Sequence, residues 1–142
     1  MTDNPRRTVS ITRVADKQYI ATNKRGGVIT FGEGRDSEFT PVELLLTAIG
    51  GCSAIDVDTL TTRRSEPESF SVEVSGDKIR DAESGNRMER LEVVFKVTFP
   101  EGERGDEARK ILPDALAKSH DRLCTVSRTV ELESPVAIRN EE

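Results

Sequence analysis

Two cysteines, Cys52 and Cys124, and one histidine, His120, are the side chains of this 142-residue sequence that point first to chemistry. A permanent structural disulfide is not expected for two cysteines in a reducing compartment. The two are either small buried hydrophobic residues or a redox pair. With one histidine and neither a C-x-x-C nor an H-x-x-x-H spacing, the sequence does not indicate a zinc site. We expect no metal and no cofactor.

Cys52 lies in an apolar stretch with helical spacing. Its face of the helix would be shared with Leu45, Ala48, Ile55, Asp56 and Thr59. Apolar neighbours raise the pKa of a thiol, and an ionised Asp56 one turn away would raise it further. A reactive Cys52 therefore needs a cation or hydrogen-bond donors from elsewhere in the fold, because Arg63 and Arg64 lie roughly 16 Å along the axis.

Cys124 has a different setting. It follows the polar stretch Ser119-His120-Asp121-Arg122, which contains one permanent cation and one titratable ring. If a short helical turn starts at Cys124, its thiolate would lie at the positive end of that helix. His120 and Arg122 are more often solvated surface residues than catalytic ones, so this segment alone leaves both interpretations open.

The helix that carries Cys52 has the strongest local signals in the sequence. Thr40 is placed as an N-cap, Pro41 as the first helical residue and Glu43 as the partner of a capping box. The pattern predicts a buried central helix from 41 to about 64. Gly50 and Gly51 would each cost it about 1 kcal/mol relative to Ala, so we expect another backbone or helix to approach closely just before Cys52.

The remaining segments have the residue patterns of strands and of one further helix. Strands are predicted at 8–14, 18–22 and 28–31, a hairpin at 69–75 and 91–99 with a bulge at Gly76, and a last strand at 129–138. An amphipathic helix is predicted at 106–119, with a kink at Pro113. The order βββ-α-ββ-α-β predicts an α+β fold with antiparallel sheets around the long buried central helix.

Length and composition predict one domain over residues 1–142. The net charge of −5 and the absence of a basic tract argue against nucleic acid. The first residues lack the apolar region of a signal peptide, and the stretch 42–57 is too short and too polar for a membrane span. We therefore expect a cytoplasmic protein. With 35% hydrophobic and 4% aromatic residues the core is thin, which favours a dimer.

Two segments resemble a known family. Residues 40–57, TPVELLLTAIGGCSAIDV, resemble the central-helix signature of the OsmC/Ohr family, in which a Pro precedes the Cys by eleven residues and small residues stand just before that Cys. Residues 119–126 resemble the family's second cysteine segment. The order of elements is also similar, so that the resemblance covers essentially the whole chain.

The resemblance implies an intertwined homodimer with active sites at the subunit interface. It also implies reduction of small organic hydroperoxides by a two-cysteine cycle, with Cys52 as the peroxidatic and Cys124 as the resolving cysteine. A sulfenic acid on Cys52 would condense with Cys124 to a disulfide. An external dithiol, in better-known members a protein-bound lipoyl group, would then reduce that disulfide.

The sequence departs from the Ohr branch at the activating residues. That branch has a Glu directly after the Pro, which anchors an activating Arg, and here the position is Val42. Glu43 is the next residue, but nine residues at about 100° each turn it away from Cys52. Arg13, Arg35 and Arg122 are the candidate cations, with His120 and Glu43 as auxiliary candidates. The Gly-Gly-Cys-Ser-Ala-Ile-Asp-Val form resembles a divergent branch of the family.

Two further hypotheses belong to other functional classes. The absence of the Glu–Arg pair favours a redox sensor that forms the Cys52–Cys124 bond without turnover. Alternatively, the domain is a dimeric pocket for a small apolar ligand and its cysteines are inert.

Overall fold

The computed structural model describes residues 4–141. They form two compact units, one ending at Leu45 and the other beginning at Leu46, so that the division falls inside the longest helix. The architecture is α+β, with antiparallel sheets and helices in the order βββ-α-ββ-α, and a short further helix comes last.

The N-terminal unit contains the predicted three-stranded meander. Strands β1 (Val9–Ala15), β2 (Gln18–Asn23) and β3 (Val28–Gly32) are antiparallel and adjacent in chain order. The turn between β2 and β3 is closed by the side chain of Asn23, which accepts hydrogen bonds from the backbone N–H groups of Arg25 and Gly27. Tyr19 and Phe31, which face each other across β2 and β3, stack with their ring centroids 5.5 Å apart.

Helix α1 (Pro41–Thr62) begins where the sequence predicts and ends two residues before the expected position. Its first turn has the capping box. The N–H of Thr40 donates to Glu43 Oε1 at 2.8 Å, and the N–H of Glu43 donates to Thr40 Oγ1 at 3.2 Å. Two orphan N–H groups at the start of the helix are thereby satisfied by near neighbours in sequence, which explains why local sequence is sufficient to place this end.

The C-terminal unit is built on the predicted hairpin of β4 (Ser69–Ile79) and β5 (Arg87–Thr98). The register shifts between Ser75 and Asp77, which confirms the bulge at Gly76. Helix α2 (Glu103–Lys118) comes next and continues on both sides of Pro113, where the kink stays a prediction. A π-helical turn (Ser119–Leu123, the π-turn) and helix α3 (Thr125–Glu131) complete the unit.

Helix α1 contacts both the hairpin and α2 within this unit. A Cβ on Gly50 would lie 2.3 Å from Cγ2 of Val74 on β4, so the helix approaches the hairpin as closely as a glycine allows. At the other end, Arg104 of α2 donates to the carbonyl groups of Arg63 and Arg64 at 3.0 and 2.6 Å. The predicted approach of another backbone or helix is thus wrong in kind: at Gly50 the close neighbour is a strand side chain. A Cβ on Gly51 would meet nothing within 4 Å.

The expectation that α1 is buried on nearly every side is wrong for the single chain. Its buried residues are Ile49, Gly50, Val57 and Thr61, and Ile55 is 69% exposed. By length and composition alone α1 could cross a membrane, since it is longer than the stretch 42–57 and reaches a mean hydropathy of 1.3. A core helix has the same properties, and the contact of Gly50 with β4 is of that kind.

The predicted last strand at 129–138 is also wrong. Residues 125–131 are helical, and residues 134–141 have no regular structure. Apolar residues alternate there, but Val136 and Ile138 are 85% and 94% exposed, so no sheet covers them in this chain. The helix forms instead because Cys124 accepts from the N–H of Ser127, and because Arg128 donates to the carbonyl of Asp121 at 2.7 Å. These local bonds offset the strand propensity of the valines.

We expect Gly50→Ala to lower the free energy of unfolding by about 1–3 kcal/mol, because a buried methyl group would be forced against Val74. Gly51→Ala is the matched control. The space there is open, and Ala has the higher helix propensity by up to about 1 kcal/mol, so this variant should be at least as stable as the wild type. Denaturant unfolding of both variants measures the difference, and equal losses would contradict the proposed role of the Gly50 contact.

Candidate functional site

The structure brings the two cysteine side chains together. Cys52 lies in the middle of α1 and Cys124 directly after the π-turn, and the Cys124 thiol is near enough to Cys52 to raise the pKa of its thiol. Both thiols are free; Cys124 is fully buried and Cys52 is partly exposed. Two thiols that come near each other from separate elements meet the first condition for a disulfide.

The first turn of α3 directs backbone N–H groups at both sulfur atoms. Cys124 is the N-cap residue of this helix and accepts from the N–H of Ser127 at 3.4 Å. The N–H groups of Thr125 and Val126 point to Cys52. The helical turn considered for Cys124 is thus present, and its positive end lies beside both thiols rather than one.

The pKa of the Cys52 thiol is nevertheless raised above its ordinary value. Burial is the largest cause, because it disfavours the charged form. The N–H groups of Val126 and Thr125 lower the pKa, whereas the hydrogen bond and the charge of Cys124 raise it. The groups that lower the pKa are therefore backbone donors, and they do not outweigh burial and the second cysteine.

Ser119 joins the two cysteine-bearing segments. It is the first residue of the π-turn and fully buried. Its hydroxyl donates to Asp56 Oδ2 at 3.0 Å and lies 2.9 Å from Oγ of Ser53, both on α1. Its carbonyl accepts from the N–H of Cys124 at 2.9 Å. Asp56, expected near Cys52 as a repelling charge, has a hydroxyl partner here.

A cavity of about 400 Å³ within the C-terminal unit is lined by Cys124 and by Ser53, the residue that follows Cys52. Its wall is apolar along β5 and on the neighbouring helices, and polar side chains collect near Cys124. The lining residues are Ile49, Ser53, Leu91, Val93, Phe95, Leu116, His120, Cys124, Ser127, Val130 and Glu131. An apolar chamber with a few convergent polar groups suits a small, largely hydrophobic molecule.

His120 lies at this cavity and is held between two carboxylates. Its Nδ1 is 2.8 Å from Asp121 Oδ1, and its Nε2 is 3.5 Å from Glu131 Oε1. The hydrogen bond to Asp121 and the charge of Glu131 raise the pKa of the imidazole. The side chain is nevertheless 67% exposed, so His120 is a surface residue whose contacts connect the π-turn to the last turn of α3.

The other candidate residues either have contacts within the N-terminal unit or are exposed in the π-turn. Arg13 and Arg35 belong to the N-terminal unit, where both lie 3.9 Å from Asp16 and Arg35 also pairs with Glu33. Glu43 belongs to the capping box of α1. Arg122 is an exposed residue of the π-turn. Activation of Cys52 by one of these three arginines stays a prediction.

Sequence reasoning missed Ser119 as a site residue, although a signal for it was present. The apolar face of α2 runs through Ala108, Leu112 and Ala115, and the next position at helical spacing is Ser119. A hydroxyl at a buried position of such a face requires a polar partner. The partner could not be named, because Asp56 and Ser53 are distant in sequence.

Within residues 4–141, no group of three or more His, Cys, Asp or Glu side chains is arranged for coordination.

Comparisons with known proteins agree with this fold. A family model described as OsmC-like protein matches residues 34–139. An uncharacterized protein of Mycobacterium tuberculosis is 31% identical over 123 residues, which cover 85% of this chain and 86% of the relative. The structure of an OsmC-like protein of unknown function from Vibrio cholerae superposes with a TM-score of 0.74 at 11% identity, and covers 90% of this chain and 95% of that one.

A second solved structure is that of an organic hydroperoxide resistance protein OsmC from Legionella pneumophila. It superposes with a TM-score of 0.55 at 14% identity, and covers 87% of this chain and 88% of that one. At these identities the two structures bear on the fold, while the family match spans most of the sequence and includes both cysteines. The chain therefore belongs to the OsmC-like protein family.

Proposed function

We propose that this protein reduces organic hydroperoxides through a thiol–disulfide cycle of Cys52 and Cys124. The observation that carries the proposal is the proximity of the two thiols at the first turn of α3, where Cys124 lines an apolar cavity. Two inert cysteines would need neither this proximity nor N–H groups directed at both sulfur atoms.

In the first step the Cys52 thiolate attacks the distal peroxide oxygen. A sulfur–oxygen bond forms as the oxygen–oxygen bond breaks, the sulfur loses two electrons, and the leaving alkoxide takes up a proton to become the alcohol. The N–H groups of Thr125 and Val126 are placed to stabilise the thiolate that begins this step.

In the second step the sulfur of Cys124 attacks the sulfenic acid. The sulfur–sulfur bond forms and the oxygen leaves as water. A dithiol reductant, such as a lipoyl group, then restores both thiols by two successive exchange reactions and becomes a disulfide itself. Because the cycle begins from reduced cysteines, we place it in the cytoplasm.

The cavity supports hydroperoxides with a small alkyl or aryl group as substrates. Six of its lining residues are apolar, and Phe95 offers an aromatic surface. The name of the Legionella pneumophila protein, an organic hydroperoxide resistance protein, supports the same substrate class.

A redox sensor is the second candidate, and the raised pKa of Cys52 favours it. A thiol that is mostly protonated near neutral pH reacts slowly, which suits stoichiometric oxidation better than rapid turnover. A pocket for a small apolar ligand requires the cavity alone, with cysteines that never react.

We also propose that a second copy of the chain covers the exposed apolar surfaces. Ile55 of α1 is 69% exposed, and Val9 and Ile11 of β1 are 65% and 59% exposed. Exposed apolar residues on elements of this length are characteristic of surfaces that are buried on association. We infer no contact with nucleic acid, given the net charge of −5.

The central prediction is turnover. Reduced protein with cumene hydroperoxide and excess dihydrolipoamide should consume many equivalents of peroxide, and Cys52→Ser should fall to the rate of the dithiol alone. In the absence of the dithiol, Cys124→Ser should consume about one equivalent and leave a sulfenic acid that dimedone traps on Cys52. A single equivalent consumed by the wild type, with the disulfide formed, would establish the sensor instead. If both thiols stay free, only the ligand-binding hypothesis survives.

The second prediction concerns pH. Since the pKa of Cys52 is raised, its rate of oxidation should increase with pH and level off only above the ordinary thiol value of about 8.5. Cys124→Ser should move this inflection to lower pH, because the second thiol contributes to raising the pKa. Stopped-flow rates with a hydroperoxide measure both. An inflection well below the ordinary value in the wild type would show that a cation activates Cys52.

The third prediction concerns association. Ile55→Glu should shift the protein from dimer to monomer in sedimentation experiments, because a charge would have to be buried at the covered face. Ala117→Glu, which adds the same charge at an exposed position of α2, is the matched control and should stay dimeric. A wild-type protein that sediments as a monomer would contradict the proposed dimer.

A further inference from the structure

Ser119 makes three hydrogen bonds that meet at the cysteine pair. Its side chain bonds to Ser53 and Asp56, while its carbonyl accepts from the N–H of Cys124. Ser53 directly follows Cys52 in the chain, and Asp56 lies one helical turn further along. One buried residue therefore ties the turn of α1 that carries Cys52 to the turn that presents Cys124.

The directions of these bonds depend on the number of protons available. A hydroxyl has one proton to donate, and a carboxylate can only accept. Ser119 therefore donates to Asp56, so the proton between Ser53 and Ser119 must come from Ser53. The network has a single order, Ser53 to Ser119 to Asp56, and the removal of the middle member leaves both ends without that partner.

The same residue fixes the backbone ahead of Cys124. The N–H of Cys124 bonds to the carbonyl of Ser119, five residues earlier, and this bond closes the π-turn. The next residues, Thr125 and Val126, direct their N–H groups at Cys52. A shift of Ser119 away from α1 would consequently move Cys124 and these two donors together.

We propose that Ser119 is a positioning residue, which holds the Cys52 and Cys124 thiols within bonding reach of each other before any oxidant arrives. Without this clamp, disulfide formation would itself have to order the two segments, and the effective concentration of each thiol toward the other would fall. The proposal rests on the proposed cycle for its biological use. It is tested by an equilibrium that needs no peroxide.

The experiment is thiol–disulfide exchange with glutathione on the whole protein. Two protein thiols and one oxidised glutathione give the protein disulfide and two reduced glutathione molecules, so that protons and electrons balance. Ser119→Ala should lower the equilibrium constant about tenfold or more, since it removes a buried hydrogen bond to a charged group. Thr61→Val is the control, because Thr61 is equally buried but donates only within α1, to the carbonyl of Val57.

A second pair of variants applies if Ser119→Ala does not fold. Asp56→Asn keeps an oxygen that accepts from Ser119, whereas Asp56→Ala does not. Asp56→Asn should retain an equilibrium constant near that of the wild type. Asp56→Ala should lower the constant by most of the factor expected for Ser119→Ala. Thiolate absorbance gives an independent readout, because displacement of the two N–H donors should raise the ionisation midpoint of Cys52 further.

The outcomes separate this inference from the proposed function. Equal constants for Ser119→Ala and Thr61→Val, or equal effects of Asn and Ala at position 56, would overturn the positioning role. A wild type that forms no disulfide with oxidised glutathione would overturn it as well. The wild type could have a high equilibrium constant that Ser119→Ala and Asp56→Ala reduce, and yet not turn over peroxide. That result would support the positioning role and reject the peroxidase.

Discussion

The close approach of Gly50 to Val74 is the constraint on which the site depends. Because a methyl group at position 50 would stand 2.3 Å from a valine methyl, α1 lies closer to the hairpin than any other residue there would allow. Val74 pairs with Val93 and Val72 with Phe95 across the hairpin, and Val93 and Phe95 line the cavity. One missing side chain thus allows the helix that carries Cys52 to pack closely on the hairpin whose second strand lines the cavity.

The chemistry of the pair is a balance between burial and donated hydrogen bonds. Removal from water stabilises the neutral thiol of Cys52, and a second sulfur nearby opposes the charged form further. Against this stand the N–H groups at the start of α3, which stabilise a thiolate without introducing a full charge. Such a site favours the protonated form of Cys52 unless a cation or further hydrogen-bond donors come close to the sulfur.

Local patterns are sufficient to predict most elements, and long-range pairings are not predictable from them. The capping box at Thr40 and Glu43, the alternation along β4 and β5 and the bulge at Gly76 each involve neighbours in sequence, and each is predicted. The helix at 125–131 has the residue pattern of a strand and is therefore not predicted. The side-chain cap at Cys124, where the helix begins, does not contribute to periodicity. Ser119 is missed because its partners lie more than sixty positions earlier. The burial of α1 is overestimated, because an apolar sequence does not show whether the helix is covered by its own chain.

The π-turn has a consequence for how the site tolerates change. A π-type hydrogen bond encloses one residue more than an α-helical bond, so Ser119–Leu123 holds an additional residue between α2 and Cys124. Loss of any one residue from this turn would restore ordinary helical spacing and rotate the downstream residues by about 100°. Cys124 would then no longer line the cavity, although the sequence would still contain every side chain of the site. Within the family, the length of this segment should therefore distinguish chains with a working pair from those that keep both cysteines without one.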